Sequence, residues 1–204
     1  MKLRRFLSVT LLLVSVSLAG SAMADPPPTP QDTFIIAGQK SLTDLLKQAA
    51  SADRDKKLND TMDGLVNYPE LVQRCFKEDW AGLSAEQKAE VSTLLHQLVQ
   101  KNYRKNLKRT LDYTVTYRGD VTVGNDTRVR TEAKNNAPTA NPRDPAVQVD
   151  YVVAGTPFKI VDIITEGSSL TNSYYTQFHK MLAPGGQGYT YLATKLKEKL
   201  AKPD

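Results

Sequence analysis

The spacing of the apolar residues changes twice along this chain of 204 residues, and this change restricts the possible folds more than any other feature. Up to Leu111, apolar residues recur at intervals of three and four, which is the period of a helix. From Tyr113 to Ile164 they alternate with polar residues or form short β-branched runs, as strands do. After Gly167 the helical spacing returns. Because helices and strands do not alternate as βαβ units, the sequence predicts an α+β fold with an antiparallel sheet.

Six helical segments are predicted. The longest begins at Ser84-Ala85-Glu86-Gln87, where the Ser84 hydroxyl and the Gln87 amide form a capping box. The third begins at Pro69, a residue favoured in the first turn of a helix, and its apolar stripe reaches Trp80. The predicted bounds of the other helices and of the long helix are 31–50, 53–65, 84–109, 169–182 and 189–200.

The middle of the chain is predicted to form the sheet. The predicted strands lie at residues 113–117, 121–123, around 129, 147–153 and 158–164. Gly119-Asp120 is interpreted as a turn between the first two strands. The segment 133–145, rich in Asn and Pro, is interpreted as a long hairpin loop.

The first two dozen residues have the pattern of a secretory signal peptide. Lys2, Arg4 and Arg5 precede an uncharged apolar run from Phe6 to Ala19, and Ala22-Met23-Ala24 forms a small-x-small cleavage site. The run is shorter than the roughly 20 residues that a membrane-spanning helix needs. The sequence therefore predicts a signal peptide over residues 1–24 and a single mature domain over 25–204.

The mature chain is predicted to be exported and released rather than tethered to a membrane. Ser21 follows Leu18-Ala19-Gly20, at the position where a lipoprotein carries the Cys that accepts the lipid. A lipid anchor is therefore excluded. Cys75, the only cysteine, cannot form an internal disulfide, so the fold depends on a packed core in which Cys75 is predicted to be buried.

Charge and residue types exclude several functions. Removal of the signal peptide lowers the net charge from +5 to about +2, whereas nucleic-acid-binding domains carry a clustered basic field. His96 and His179 are the only histidines, so a zinc site would need carboxylates with no recognisable spacing. Gly167-Ser168-Ser169-Leu170-Thr171 lacks the second glycine of a hydrolase nucleophile elbow, and Ser168 or Ser169 is interpreted as a helix cap. The sequence predicts no nucleic acid, metal, cofactor or catalytic site.

Large apolar side chains remain on elements that face one another: the long helix, the sheet and the helix after Gly167. They predict either a solid core, which is the usual meaning of apolar stripes, or a cavity between the helices and a curved sheet in which a small ligand binds. The sequence alone does not separate these two structures.

One region resembles a known family. Residues 158–170, Phe-Lys-Ile-Val-Asp-Ile-Ile-Thr-Glu-Gly-Ser-Ser-Leu, followed by Tyr174 and Gln177-Phe178, resemble the signature of the Mla-type periplasmic phospholipid-binding proteins, also called the toluene-tolerance family. Val149-Asp150-Tyr151 and the stretch 68–107 are similar to other parts of that family. The resemblance therefore covers nearly the whole mature chain.

The sequence departs from the family pattern at three positions. Phe158 replaces the usual Trp, and Ser173 and Tyr175 replace the Asn and Arg of an Asn-Tyr-Arg-x-Gln-Phe run. These departures affect any polar contact that the family makes through the Arg. They do not affect the expected fold.

The resemblance implies a soluble phospholipid carrier. Such a protein would shuttle lipid between an inner-membrane ABC transporter complex and an outer-membrane lipoprotein complex and so maintain the lipid asymmetry of the outer membrane. Phospholipid would be its cargo and not a cofactor. The acyl-chain pocket is expected to be lined by Leu95, Leu98, Val149, Tyr151, Val153, Ile160, Leu170, Tyr174 and Phe178.

Two other functions remain open. The chain is alternatively an exported adaptor whose apolar surfaces bind protein without lipid. A third hypothesis is a small α+β enzyme such as an isomerase or hydrolase, which a carboxylate paired with a His in the cavity would favour.

Overall fold

The computed structural model describes residues 28–137 and 145–202, and within these ranges it leaves the side chains of 105–110 undescribed. The helices of this part are α1 (Pro30–Leu46), α2 (Ala52–Leu65), α3 (Tyr68–Phe76), α4 (Ala85–Thr110), α5 (Leu170–Leu182) and α6 (Gly188–Ala201). The strands are β1 (Tyr113–Val123), β2 (Asp126–Asn135), β3 (Val147–Ala154), β4 (Lys159–Thr165) and β5 (Ser168–Ser169). The α+β class is confirmed. The predicted signal peptide lies outside the described residues.

Side-chain caps fix where the helices begin. The capping box of α4 is confirmed. The Ser84 hydroxyl accepts from the Gln87 backbone N at 3.2 Å, and the Gln87 side-chain Oε1 accepts from the Ser84 backbone N at 2.9 Å. Ser169 caps α5, and its hydroxyl accepts from the Asn172 N at 3.0 Å. The first helix ends at Leu46 and not at residue 50, because Ser51 adopts an extended backbone and caps α2. No helix within the described ranges is long and apolar enough to cross a membrane.

The sheet is antiparallel throughout, with the order β1-β2-β3-β4-β5, so that each strand pairs with the next along the chain. The predicted turn at Gly119-Asp120 is wrong, because β1 continues through these residues and only shifts its register with β2 after Tyr117. Gly119 has φ +74°, and a bulge uses the same left-handed glycine as a turn. The chain reverses at Gly124-Asn125 instead.

The predicted hairpin loop begins later than expected. β2 extends to Asn135, which pairs with Tyr113, so residues 133–135 belong to the strand. The centre of the loop, residues 138–144, lies outside the described residues.

Apolar side chains form three buried clusters. The largest joins α3, α4, α5 and α6, and within it the rings of Phe76 and Phe178 lie 4.9 Å apart. The second joins α1 to α2 through Leu42 and Met62. The third packs α1 against the sheet and consists of Ile35, Val129, Val153 and Ile160, with partly buried neighbours. The clusters meet at the end of α2, because Val66 packs against both the first and the third, and Leu65 packs against both the second and the third.

Cys75 lies in the largest cluster and is completely buried, as predicted. Burial raises the pKa of its thiol to about 12. Because the thiolate is the reactive form, Cys75 is a packing residue and not a nucleophile.

The two faces of the sheet differ in character. Tyr151 pairs with Val129, and side chains two residues apart share a face, so Val149, Tyr151 and Val153 point towards the side that α1 covers. Asp150 points to the opposite side, where its Oδ2 accepts from Arg128 Nε at 2.6 Å. The face towards α1 is therefore the apolar one.

Candidate functional site

An apolar cavity lies between α1, α2, α4, α5 and the α1-facing side of the sheet. It consists of an outer chamber of about 310 Å³ and an inner chamber of about 30 Å³. The two adjoin, because Val99, Tyr103 and Ile163 line both. A small ligand site of this kind is usually an apolar cleft with a few polar groups.

The inner chamber is built by segments that are distant in the chain. Helix α1 approaches α2 closely at Gly38, where a Cβ atom would lie 2.7 Å from Leu65 Cδ2. The parallel bridge between Val66 and Ile160 holds the end of α2 against β4. The apolar walls of the inner chamber include Ile35, Leu42, Met62, Leu65, Leu71 and Ile160.

The rim of the outer chamber is polar. Exposed side chains surround its opening, namely those of Asn102, Thr165, Ser168 and Ser173. Leu170 and Tyr174 lie below them on α5. The opening therefore combines an uncharged polar edge with an apolar interior.

One polar side chain, Gln39 of α1, lies on the wall of the inner chamber. Its Nε2 donates to Tyr151 Oη at 2.9 Å, and its Oε1 accepts from Tyr117 Oη at 2.6 Å. Burial raises the pKa of both tyrosines, so both hydroxyls are neutral. These bonds tie α1 to β3 and β1.

Four of the nine residues expected to line a pocket lie on the cavity wall. Tyr151 and Ile160 line the inner chamber, and Leu170 and Tyr174 line the outer one. Their role in binding stays a prediction.

The other five lie near the cavity but line neither chamber. Leu95, Leu98 and Phe178 belong to the buried cluster between the helices. Val153 belongs to the cluster beneath α1. Val149 points to the same side of the sheet as Tyr151 and pairs with Thr165, which lies at the rim.

The contribution of the α1–α2 hairpin to the cavity wall was not predicted from the sequence. Ile35 and Leu42, seven residues apart on α1, carry the helical signal that would have found one wall. On α4, Val99 and Tyr103 line the cavity, whereas the predicted residues were Leu95 and Leu98. Val99 follows Leu98 directly in the chain and lies about one helical turn after Leu95. The helical period identifies the apolar stripe of α4 but not which edge of the stripe meets the sheet.

A second groove, which is open and has a volume of about 720 Å³, lies next to the inner chamber. Val66 lines both of them. His96 Nε2 lies 2.8 Å from Asp63 Oδ1 in this groove, and the centre of the Tyr68 ring lies 4.0 Å from that of the His96 ring, with the two planes tilted by 41°. This is the carboxylate–histidine pair that an enzyme would need, but it lies outside the apolar cavity. The nearby Ser92 hydroxyl donates to the carbonyl of Lys88 and not to His96.

Two further features of residues 28–137 and 145–202 concern catalysis and metal binding. A second histidine pair, Asp79 with His179 at 2.8 Å, lies on the surface beside Tyr175. In these ranges no group of three or more His, Cys, Asp or Glu side chains is arranged to hold a metal ion.

Tyr175, which replaces the Arg of the family pattern, takes part in a surface cluster. Its hydroxyl donates to Glu78, and the Lys77 ammonium lies 4.2 Å from the centre of its ring. A contact to Glu78 is thus made here by a neutral side chain.

The molecule is a small α+β domain with an apolar cavity that opens at a polar rim. The MlaC protein family matches residues 38–198, and the chain belongs to this family. A phospholipid-binding protein from Ralstonia solanacearum, solved in complex with a phospholipid, has a similar structure, with a TM-score of 0.69 and 20% sequence identity over 83% of this chain and 96% of that one. No similar sequence is found among the curated proteins.

Proposed function

We propose that this protein is a soluble periplasmic phospholipid carrier that encloses acyl tails in the apolar cavity. The observation that carries the proposal is the pair of apolar chambers beneath a polar rim in a member of the MlaC family. The phospholipid held by the similar Ralstonia protein supports the same ligand class.

The free energy of exposing lipid tails explains why a carrier needs such a cavity. Transfer of each CH₂ group to water costs about 0.8 kcal/mol, so tails with some thirty methylenes cost on the order of 25 kcal/mol. Free diffusion of the lipid through water is therefore too rare to be useful. The headgroup has no such penalty and remains at the rim, where the lining side chains are uncharged.

Lipid binding must enlarge the cavity. Chambers of about 30 and 310 Å³ are small for a lipid with two tails, since sites for drug-sized ligands occupy about 300–1,000 Å³. The α1–α2 hairpin forms the wall opposite the sheet, and both apolar packing around Ile35 and polar contacts hold it in place. Gln39 joins it to the sheet, and Asp63 joins it to His96 and Gln100 of α4.

The wider pathway follows from the family and from the N-terminal sequence. Export with cleavage before Asp25 would place the carrier in the periplasm, between an inner-membrane ABC transporter complex and an outer-membrane lipoprotein complex. Delivery between these two membranes would maintain the asymmetry of the outer membrane. The departure at Tyr175 would alter the contacts of the surface around Glu78 and not the cavity.

A transfer experiment tests the carrier function. The protein is incubated with vesicles that contain a tail-labelled phospholipid, separated from them, and then added to unlabelled vesicles. We expect the label to migrate with the protein and then to appear in the acceptor vesicles as intact lipid. If the protein carried no label, this result would contradict the carrier function and favour the adaptor that binds protein without lipid.

The same samples separate the carrier from an enzyme. The Asp63–His96 pair is the observation that favours hydrolysis, and a hydrolase would release fatty acid and lysolipid. Mass spectrometry of the acceptor vesicles distinguishes these products from intact phospholipid. Asp63→Asn is the matched variant, since its loss of the carboxylate would stop hydrolysis but not transfer.

A further inference from the structure

Three hydrogen-bond donors on the cavity wall have no acceptor within residues 28–137 and 145–202, the side chains of 105–110 left aside. Gln39 Nε2 carries two hydrogens, and only one is used, in the bond to Tyr151 Oη. Tyr151 Oη accepts that bond, but its own hydrogen has no acceptor among the described residues. Tyr103 Oη, on the wall shared by both chambers, has no hydrogen-bond partner there either.

A structural brace accounts for only part of this arrangement. The bonds from Gln39 to Tyr151 and from Tyr117 to Gln39 hold α1 on the sheet. They leave one Gln39 hydrogen, the Tyr151 hydroxyl hydrogen and the Tyr103 hydroxyl without an acceptor among the described residues, on an otherwise apolar wall. A few polar groups on the wall of an apolar cavity orient the ligands that bind there, so these donors are placed to meet an acceptor on a ligand or water.

The walls restrict the charge of that acceptor. None of the side chains that line either chamber is charged. An anionic phosphate or carboxylate would enter this site without a cation to pair with, which is unfavourable away from water. A neutral carbonyl oxygen has no such penalty.

The depth of the donors fits a particular part of a lipid. Tyr151 pairs with Ile163, and Val149 pairs with Thr165 at the rim, so Tyr151 lies two residues below the rim. Two residues of strand correspond to about 7 Å. In a diacyl phospholipid whose headgroup is at the rim, the ester carbonyls follow directly below.

We propose that Tyr103, Tyr151 and Gln39 bind the ester carbonyl oxygens of a diacyl glycerophospholipid. The protein then prefers ester-linked lipids to ether-linked lipids of the same chain length and headgroup, because ethers lack the carbonyl acceptors. This inference rests on the proposed lipid-carrier function.

A competition experiment tests the preference. The protein is equilibrated with vesicles that contain equal amounts of diester and diether phosphatidylcholine with identical chain lengths, and the bound lipid is quantified by mass spectrometry. We expect the wild type to hold about five to ten times more diester lipid, since one or two net hydrogen bonds are worth about that factor. In the double variant Tyr103→Phe/Tyr151→Phe the ratio should fall to about one.

Tyr189→Phe is the matched control. It removes a tyrosine hydroxyl that donates to Glu90, and Tyr189 lines neither chamber, so the diester preference should remain. Thermal unfolding of each variant measures the structural effect separately from the lipid ratio.

The outcomes separate the two proposals. Equal binding of both lipids by the wild type would overturn this inference and leave the carrier function intact, as would an unchanged preference in the double variant. The wild type would also bind the diester and the diether lipid equally if water, and not the lipid, supplied the acceptors for the three donors. Failure of the wild type to bind either lipid would overturn the carrier function and this inference together.

Discussion

Ile163→Asp is expected to empty the protein of phospholipid while leaving it folded. Ile163 is half-buried and lines both chambers, so its replacement puts a carboxylate where acyl tails are proposed to lie. A polar group facing hydrocarbon without water or a partner costs several kcal/mol, which predicts a loss of bound lipid of about a hundredfold or more. The short Asp side chain cannot reach the rim, as a Lys side chain would.

Val121→Asp is the control for this variant. Val121 also lies on a strand, but it is 40% exposed and remote from the cavity. Both variants place an Asp in a strand, so a loss of lipid from Ile163→Asp alone assigns the effect to the cavity and not to the introduced charge. Circular dichroism melting and lipid content are measured together, and global unfolding of Ile163→Asp beside a stable control would support a solid core instead of a cavity.

Arg128→Ala is expected to lower the free energy of unfolding by about 3–5 kcal/mol, the usual effect of removing one partner of a buried ion pair. Asp150 is completely buried on the far side of the sheet, and its Oδ2 accepts from Arg128 Nε at 2.6 Å. Its other contacts, from the Thr131 N at 3.3 Å and Gln148 Nε2 at 3.4 Å, are long. Without Arg128 the carboxylate is left buried and poorly compensated.

Chemical denaturation checks this prediction, with Lys40→Ala as the comparison. The Lys40–Asp44 pair is exposed, with 75% and 51% of the side chains accessible, and should contribute less than about 1 kcal/mol. The double variant Arg128→Leu/Asp150→Leu should recover part of the lost stability, because no charge remains buried. Equal effects of Arg128→Ala and Lys40→Ala would contradict the account of this pair.

The parts of the fold that depend on local signals were predictable from the sequence. The capping box at Ser84 lies within one helical turn, and the alternation of Val149, Tyr151 and Val153 fixes which side chains share a face. Gly119 shows the limit of such signals, because its positive φ serves a bulge as well as it would serve a turn.

The cavity depends on contacts that no local pattern encodes. The inner chamber forms where Ile35, Val99 and Ile163 meet, and these residues belong to three distant segments. The amphipathic period of α4 does not reveal that Val99 lines the cavity and Leu95 does not, since both lie on one apolar stripe and in one buried cluster. The Asp63–His96 pair joins α2 to α4 and was equally invisible in the sequence.

Extraction of the purified protein tests the central claim most directly. The mature chain is purified from its own membrane-containing host without detergent, extracted with organic solvent and analysed by mass spectrometry, with Ile163→Asp prepared in parallel. The account predicts intact diacyl phospholipid in stoichiometric amount from the wild type and almost none from the variant. A wild-type extract with no more phospholipid than the Ile163→Asp extract would contradict the proposal that this cavity carries lipid.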